Sequence, residues 1–309
     1  MTKMSEPIVF FGSGPVAADS LRILADFCTI EAVVTKPRAP HHKGSVPVLE
    51  LAESLNLPIH TVTDKRSLDV LFKGQPFTSR LGVLVDFGII VSQEVINYFP
   101  LGIVNSHFSL LPEWRGADPI TFSILSGQKR TGVSLMLLTA GMDEGPLLAQ
   151  SAYDIPADMT TPELTQDLIE LSGHMLEDIL PLWVADKVSP APQETVTIAE
   201  TATPSYSRKL TKKDSFLDWK KSAEVLEREI RAFYEWPKSR AKLGTIETII
   251  TKAHVGNAAG APGKTTIIDK KPAVFCESKT LVIDRLKPAG KQEMTGEAFL
   301  AGYKQQFLQ

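Results

Sequence analysis

Five short apolar runs alternate with helical patterns between Ile8 and Leu125, and that alternation restricts the fold more than any other feature of the chain. Ile8 to Phe11, Ile30 to Val34, Pro58 to Val62, Leu81 to Val85 and Gly102 to Asn105 read as buried strands. They are short, rich in β-branched residues and bounded by turn formers, as strands buried on both faces are. Val16 to Asp26, Val46 to Leu55, Ser92 to Tyr98 and Asp118 to Leu125 carry helical spacing. Strands that alternate with helices are joined by crossovers, so the expectation is an α/β domain built on a parallel sheet. Val133 to Leu138 and Leu147 to Ile155, joined by a Gly-rich turn, are expected to pair antiparallel at one side. A long helix, Pro162 to Val184, closes this part.

The rest of the chain has a different pattern and a different charge. Ser222 is a plausible N-cap for a helix whose apolar positions are Ala223, Leu226, Ile230 and Phe233. After it come strand-like runs only: Ile246 to Ala253, Thr265 to Ile268, Ala273 to Cys276 and Leu281 to Leu286, which suit a small β-barrel. Residues 1–205 hold 13 Lys+Arg against 24 Asp+Glu, a balance of −11; residues 206–309 hold 20 against 12, a balance of +8. Asp186 to Ser205 lies between them, rich in Pro, Thr and Ala and without helical periodicity. The expected division is therefore a first domain at 1–187, a linker at 188–205 and a second domain at 206–309. A basic second domain suits a polyanion such as nucleic acid, because each Lys or Arg on a phosphate releases counterions; a merely solvated basic surface is the alternative.

Length and composition exclude several classes. The 309 residues allow about two domains, and 43% hydrophobic with 22% charged residues is too apolar for a disordered chain. The two cysteines, Cys28 and Cys276, make no disulfide framework, which points to a reducing compartment and a cytoplasmic protein. Leu81 to Val91 is interrupted by Asp86 and is shorter than the ~20 residues of a membrane helix, and no export or transit peptide is visible.

Three motifs sit where chemistry is expected. Gly12-Ser13-Gly14-Pro15-Val16-Ala17 follows a strand and opens a helix, as the dinucleotide fingerprint does. The second strand, however, ends in Val34-Thr35-Lys36 without the acid that holds a ribose, so a tight strand-to-helix turn is the competing reading. Asn105-Ser106-His107 ends the fifth run, and on an extended backbone Asn105 and His107 face the same side. An imidazole that exchanges protons near neutrality beside an amide N–H donor suits acyl transfer, although a histidine there is often structural. Gly141-Met142-Asp143-Glu144-Gly145 places an acid in the turn between the late strands, where Asp143 either orients His107 or only forms the turn. No G-x-S-x-G elbow is present, and His41-His42 has no ligand partner at metal spacing, so neither a serine nucleophile nor a metal is expected.

With these residues the chain resembles the formyltransferases that use 10-formyltetrahydrofolate, and within them the branch that formylates initiator methionyl-tRNA. Asn105, His107, Ser109-Leu110-Leu111-Pro112, Arg115-Gly116 and the Gly141 to Gly145 turn carry the first likeness. Asp218-Trp219, Leu226 to Phe233, Trp236-Pro237 and Leu286 to Lys291 carry the second, since relatives acting on glycinamide ribonucleotide lack a counterpart. The resemblance implies a Rossmann-like catalytic domain followed by an OB-like barrel. It implies catalysis by Asn105, His107 and Asp143, and folate contacts from Ser109, Leu110, Leu111, Pro112, Phe87 and Gly88. Contacts to tRNA are expected from Arg38, Lys43, Lys209 and Arg240. It further implies a monomer with no NAD. Asp86, Asp118 and Pro146 stand where the family pattern has other residues. Formylation of an amino-sugar nucleotide and a non-catalytic folate- or RNA-binding role are the alternatives.

Overall fold

The computed structural model describes residues 3–38, 44–75 and 77–309, which form two units. The first comprises the described residues up to Pro119 together with Arg130–Asp154 and Thr165–Ser207. In chain order it carries β1 (Ile8–Phe11), α1 (Pro15–Phe27), β2 (Ile30–Thr35), α2 (Pro47–Ser54), β3 (Ile59–Thr61) and α3 (Lys65–Lys73). β4 (Leu81–Leu84), α4 (Gln93–Tyr98), β5 (Ile103–His107) and β6 (Arg115–Gly116) follow. After α5 (Pro119–Ser126), which groups almost wholly with the second unit, come β7 (Arg130–Leu137), β8 (Leu147–Asp154), α6 (Thr161–Val184, its first turn also in the second unit), α7 (Gln193–Val196) and β9 (Tyr206–Ser207).

Seven of these strands form one sheet in the order β3-β2-β1-β4-β5-β7-β8. The first five are parallel; β7 runs antiparallel to β5, and β8 to β7, as the Gly-rich turn predicts. Strand order reverses at β1, which has β2 on one side and β4 on the other, so the crevice beyond their carboxyl ends is the expected ligand position. Alternation along each strand divides the core between the two faces. Val9, Phe11, Ala32, Val34 and Ile103 pack with Leu68 and Phe72 of α3 and with Val95 and Ile96 of α4. α3 is a helix for which the sequence reading makes no prediction. Four of its nine residues, Lys65, Arg66, Asp69 and Lys73, are charged and dilute its apolar stripe, and its start is a reciprocal cap in which Asp64 accepts from Ser67 N at 2.8 Å while Asp64 N donates to Ser67 Oγ at 3.1 Å.

Residues 188–205, expected to act as a linker, group with the first unit. Ala191 and Leu147 exchange backbone bonds of 2.8 and 3.0 Å, α7 follows, and β9 pairs in parallel with β6. Pro, Thr and Ala composition signals only the absence of regular periodicity; it does not reveal that the backbone groups find partners on a neighbouring strand.

The second unit comprises Ile120–Lys129, Ile155–Leu164 and Arg208–Gln309. Ser222 caps α8 (Ala223–Ala232) by accepting from Val225 N at 3.3 Å, as its position predicts. Then follow β10 (Arg240–Leu243), β11 (Ile246–Gly256), β12 (Thr265–Ile268), β13 (Lys271–Phe275), β14 (Thr280–Pro288), β15 (Met294–Thr295) and α9 (Gly296–Phe307). The strands make one antiparallel half-barrel sheet, β10-β11-β14-β13-β12, with β15 on β14. The expectation of strands alone after α8 is corrected by α9. Thr295 caps it, and Phe299, Leu300 and Phe307 fill the core against Leu281, Ile283 and Leu286. Among the described residues no helix is long and apolar enough to cross a membrane.

Candidate active site

Asn105 and His107 lie at the carboxyl end of β5, both buried and both on the side of the strand opposite Ser106. Ser106 instead shares a 2.7 Å hydrogen bond with Ser172 of α6, so its hydroxyl is engaged within the core. The turn between β7 and β8 brings Asp143 to the same place. Asn105 Nδ2 donates to Asp143 Oδ1 at 3.4 Å, Gly116 N donates to Asp143 Oδ2 at 2.8 Å, and His107 Nδ1 stands 3.7 Å from Asp143 Oδ2. The last distance is an ion-pair separation, longer than a hydrogen bond.

The other imidazole nitrogen fixes the tautomer. His107 Nε2 is 3.0 Å from the Trp114 carbonyl, which can only accept, so Nε2 carries a hydrogen and Nδ1 is the nitrogen left for another partner. That atom faces Asp143. A carboxylate, an amide donor and an imidazole nitrogen thus converge within one hydrogen-bond length or slightly more, in a setting largely shielded from water. Such a group can stabilise a developing oxyanion and move a proton at the same atom.

Asp143 adopts φ +51°, a left-handed conformation for a residue with a side chain, and the chain around it is held firmly. A side chain at Gly145 would collide with the Leu137 carbonyl, so only glycine fits there. Arg115 is buried; its Nη2 donates to Gln193 Oε1 at 2.7 Å, and Glu144 and Glu194 lie 3.5 and 3.8 Å from its Nη1 and Nη2. Gln193 itself donates to the carbonyls of Asp143 and Gly145. Sequence reasoning missed Gln193 and the Trp114 carbonyl, because both act through contacts that no local spacing announces.

Across the crevice, the Gly12 to Pro15 turn meets the end of β4. Ser13 N donates to the Asp86 carbonyl at 3.1 Å, and a Cβ on Gly14 would strike the Asp86 carboxyl. Neither Gly12 nor Gly14 has positive φ, so close packing explains both glycines. A carboxylate at this helix start also opposes a pyrophosphate by like charge. Asp86 is reached by solvent yet set among the crevice walls. Poor hydration pushes its carboxyl up to about 6, with Lys36 working against the rise and Asp118 adding to it.

Ser109 to Pro112 is buried throughout. Ser109 Oγ donates to Glu113 O at 2.5 Å, Ser134 Oγ donates to Ser109 O at 2.6 Å, and Gln150 and Thr197 both donate to Leu111 O. Leu111 packs with Met136 and Leu147. Phe87 is also buried, edge-on to Phe11, whereas Gly88 is exposed with φ +63° and its carbonyl accepts from Lys36 Nζ at 3.1 Å. Two apolar side chains near these positions stay open to solvent: Ile90 at 74% and Met142 at 63% exposure. Arg38 is exposed and bonded to Glu50 at 2.7 Å and to Gly44 O at 3.0 Å. Lys43 lies outside the described residues, as do His41 and His42. In the second unit, Lys209 and Arg240 are exposed. Among the described residues no group of three or more His, Cys, Asp or Glu could hold a metal ion.

Comparison with known proteins bears on this geometry. Residues 29–180 match the family described as formyl transferase, and residues 209–304 match the formyl transferase C-terminal domain. A methionyl-tRNA formyltransferase of Myxococcus xanthus is 34% identical over 311 residues, spanning 97% of this chain and 96% of its own. One of Chloroflexus aurantiacus is 34% identical over 307 residues, spanning 96% of each. Among solved structures, an N-formyltransferase of Helicobacter canadensis in complex with folinic acid and dTDP-3-aminofucose aligns with a TM-score of 0.66 at 15% identity. That alignment covers 95% of this chain and 100% of the other and shows a common fold.

Proposed function

Because the chain belongs to the methionyl-tRNA formyltransferase family, we propose that Asn105, His107 and Asp143 carry its formyl transfer. The enzyme moves a formyl group to the amino group of methionyl-tRNA from a folate-type donor, which we assign as 10-formyltetrahydrofolate. The donor supplies an activated one-carbon unit on N10; the chain's residues handle charge and protons. One bond forms between the amine nitrogen and the formyl carbon, and the bond from that carbon to N10 breaks. Asn105 Nδ2 and a protonated His107 Nδ1 donate to the formyl oxygen as it gains negative charge; removing one such donor typically costs ~10² to 10³ in rate. Asp143 orients both groups and passes the amine proton toward N10, a contribution of typically ~10² to 10⁴. The convergence of the three side chains on one point at the end of β5 carries this reading.

The remaining roles extend the same proposal. Exposed Ile90 and Met142 offer apolar surface for the flat pterin beside Gly88, while Phe87 and the buried Ser109 to Pro112 segment shape the wall behind it. The second unit is read as an OB-like barrel that binds the tRNA backbone through Lys209 and Arg240, with Arg38 and Lys43 as further contacts. A cytoplasmic monomer is proposed; two buried free thiols, Cys28 and Cys276, suit a reducing compartment.

The test is a transfer assay with labelled methionyl-tRNA and 10-formyltetrahydrofolate, in which free methionine and an amino-sugar nucleotide compete as acceptors. Formylation of the tRNA alone is expected. A formylated sugar without tRNA product would overturn the acceptor, and full turnover by His107→Ala would overturn the site.

A further inference from the structure

Gln193 is 1% exposed and begins α7, inside the stretch whose composition reads as a linker. Its Nε2 donates twice, to the carbonyl of Asp143 at 2.8 Å and to that of Gly145 at 2.9 Å, and its Oε1 accepts from Arg115 Nη2 at 2.7 Å. Chemistry forces this orientation, since a guanidinium can only donate and carbonyls can only accept. Both donors of the amide are therefore spent on the catalytic turn.

Arg115 is followed by Gly116, whose N–H holds Asp143 Oδ2 at 2.8 Å. A closed circuit results: Gln193 holds the Asp143 carbonyl, Asp143 extends its carboxylate to Gly116, and Arg115 returns to Gln193. The circuit grips Asp143 at both its main chain and its side chain. It needs gripping, because the residue sits at φ +51° in a turn flanked by Gly141 and Gly145, a conformation that the surroundings must over-determine. Arg115 is held at the same contact as well as by Glu144 and Glu194, while its Nε is buried without a hydrogen-bond partner among the described residues. The segment around Gln193 is itself anchored. Ala191 pairs with Leu147 before it, and after it Thr197 Oγ1 donates to Leu111 O at 2.6 Å while Ile198 N donates to Gln150 Oε1 at 2.9 Å.

We propose that Gln193 is a positioning residue for formyl transfer: through its two bonds to the Asp143 turn it sets the carboxylate against His107 Nδ1 and Asn105 Nδ2. The proposal rests on the reading of Asp143 as a catalytic group. It makes the stretch 188–205 part of the framework of the active site.

The experiment measures kcat and KM for donor and methionyl-tRNA in the full chain for Gln193→Met, Gln193→Glu, Asp143→Asn and the Gln193→Met/Asp143→Asn double variant, with thermal unfolding of each. Misplacing a catalytic group by ~1 Å can cost ~10²-fold, so Gln193→Met is expected to lower kcat by ~10 to 100-fold with both KM values within ~2-fold of the parent. Gln193→Glu keeps a partner for Arg115 but turns a carboxylate toward two carbonyls, and is expected to fail equally. It also carries the comparison if Gln193→Met does not fold. In the Asp143→Asn background, Gln193→Met is expected to cost no more than ~2-fold, since the group it positions is already gone. Equal losses in both backgrounds, or an unchanged kcat in the folded Gln193 variants while Asp143→Asn is impaired, would overturn the positioning role. Wild-type turnover by Asp143→Asn would instead overturn the catalytic reading on which it stands.

Discussion

Asp143→Asn changes one atom and tests the site more sharply than any truncation. The carboxylate now accepts from two donors on two oxygens, Gly116 N at 2.8 Å and Asn105 Nδ2 at 3.4 Å. An asparagine has one oxygen and one amide nitrogen. If its oxygen serves Gly116, its NH₂ faces the NH₂ of Asn105; if it is flipped, NH₂ meets the Gly116 N–H. With Asn105 kept in its present orientation, one donor meets a donor in a shielded site, and the negative charge 3.7 Å from His107 Nδ1 is lost. An unsatisfied buried donor costs about 1 to 3 kcal/mol, and at ~2 to 4 °C per kcal/mol for 150–250 residues the melting temperature should fall by roughly 2 to 12 °C. The chemical step loses both the orienting charge and the proton carrier, so single-turnover formylation should slow by ~10² to 10⁴. The assay is rapid-quench formylation of methionyl-tRNA at saturating donor, beside calorimetry of the same samples. A variant that unfolds within a degree of wild type and turns over within ~3-fold of it would refute both the hydrogen-bond accounting and the catalytic assignment.

Asp86→Asn should raise the melting temperature at pH 7.5 and leave it unchanged near pH 4. The folded carboxyl titrates near 6, above its unfolded value, so the native state loses stability as pH rises through that window and the neutral amide escapes the loss; solvent screening keeps the effect small, and equal shifts at both pH values would contradict it. Asparagine also tolerates the φ of +42° at this position, which separates the charge effect from backbone strain. Lys209→Ala and Arg240→Ala should each weaken tRNA binding and flatten the slope of log K against log salt by about 1, read from binding titrations between low and moderate salt; an unchanged slope would remove that residue from the phosphate contacts. Phe299→Ala deletes a fully buried ring stacked on Tyr303 and should destabilise the second unit by about 3 to 5 kcal/mol in urea unfolding, whereas a loss under about 1 kcal/mol would show that α9 contributes little to that core.

Much of the architecture is legible in one dimension because it rests on local pattern. Strands buried on both faces must be continuous apolar runs, so β1, β2, β4 and β5 are visible together with their order along the chain, whereas β3, expected as a buried strand, is Ile59–Thr61 at the sheet edge and only partly buried. Asn105 and His107 share a face because backbone pleating has period two, and family motifs mark Asp143 as their partner. α3 hides behind its own charges, and α9 behind an apolar set, Phe299, Leu300, Tyr303 and Phe307, whose spacing follows a run of strands and a lysine-rich turn. Both helices are held by capping and by the core each one meets, and neither of those is a property of composition.

The sequence by itself determined the class of the fold, the strand that carries Asn105 and His107, the charge contrast between the two halves and the family. Each of these depends on residues close together in the chain or on composition summed over it. Only the tertiary structure decided which nitrogen of His107 donates to the backbone, because that follows from the Trp114 carbonyl, and how Asp143 is held, because Gln193 reaches it from fifty residues away. It also decided that Asp86 crowds the helix start where a pyrophosphate would sit, and that Ser109 to Pro112 is wall rather than open surface. Hydrogen bonding and burial are relations between groups distant in sequence, and the direction of a bond is settled only when donor and acceptor meet.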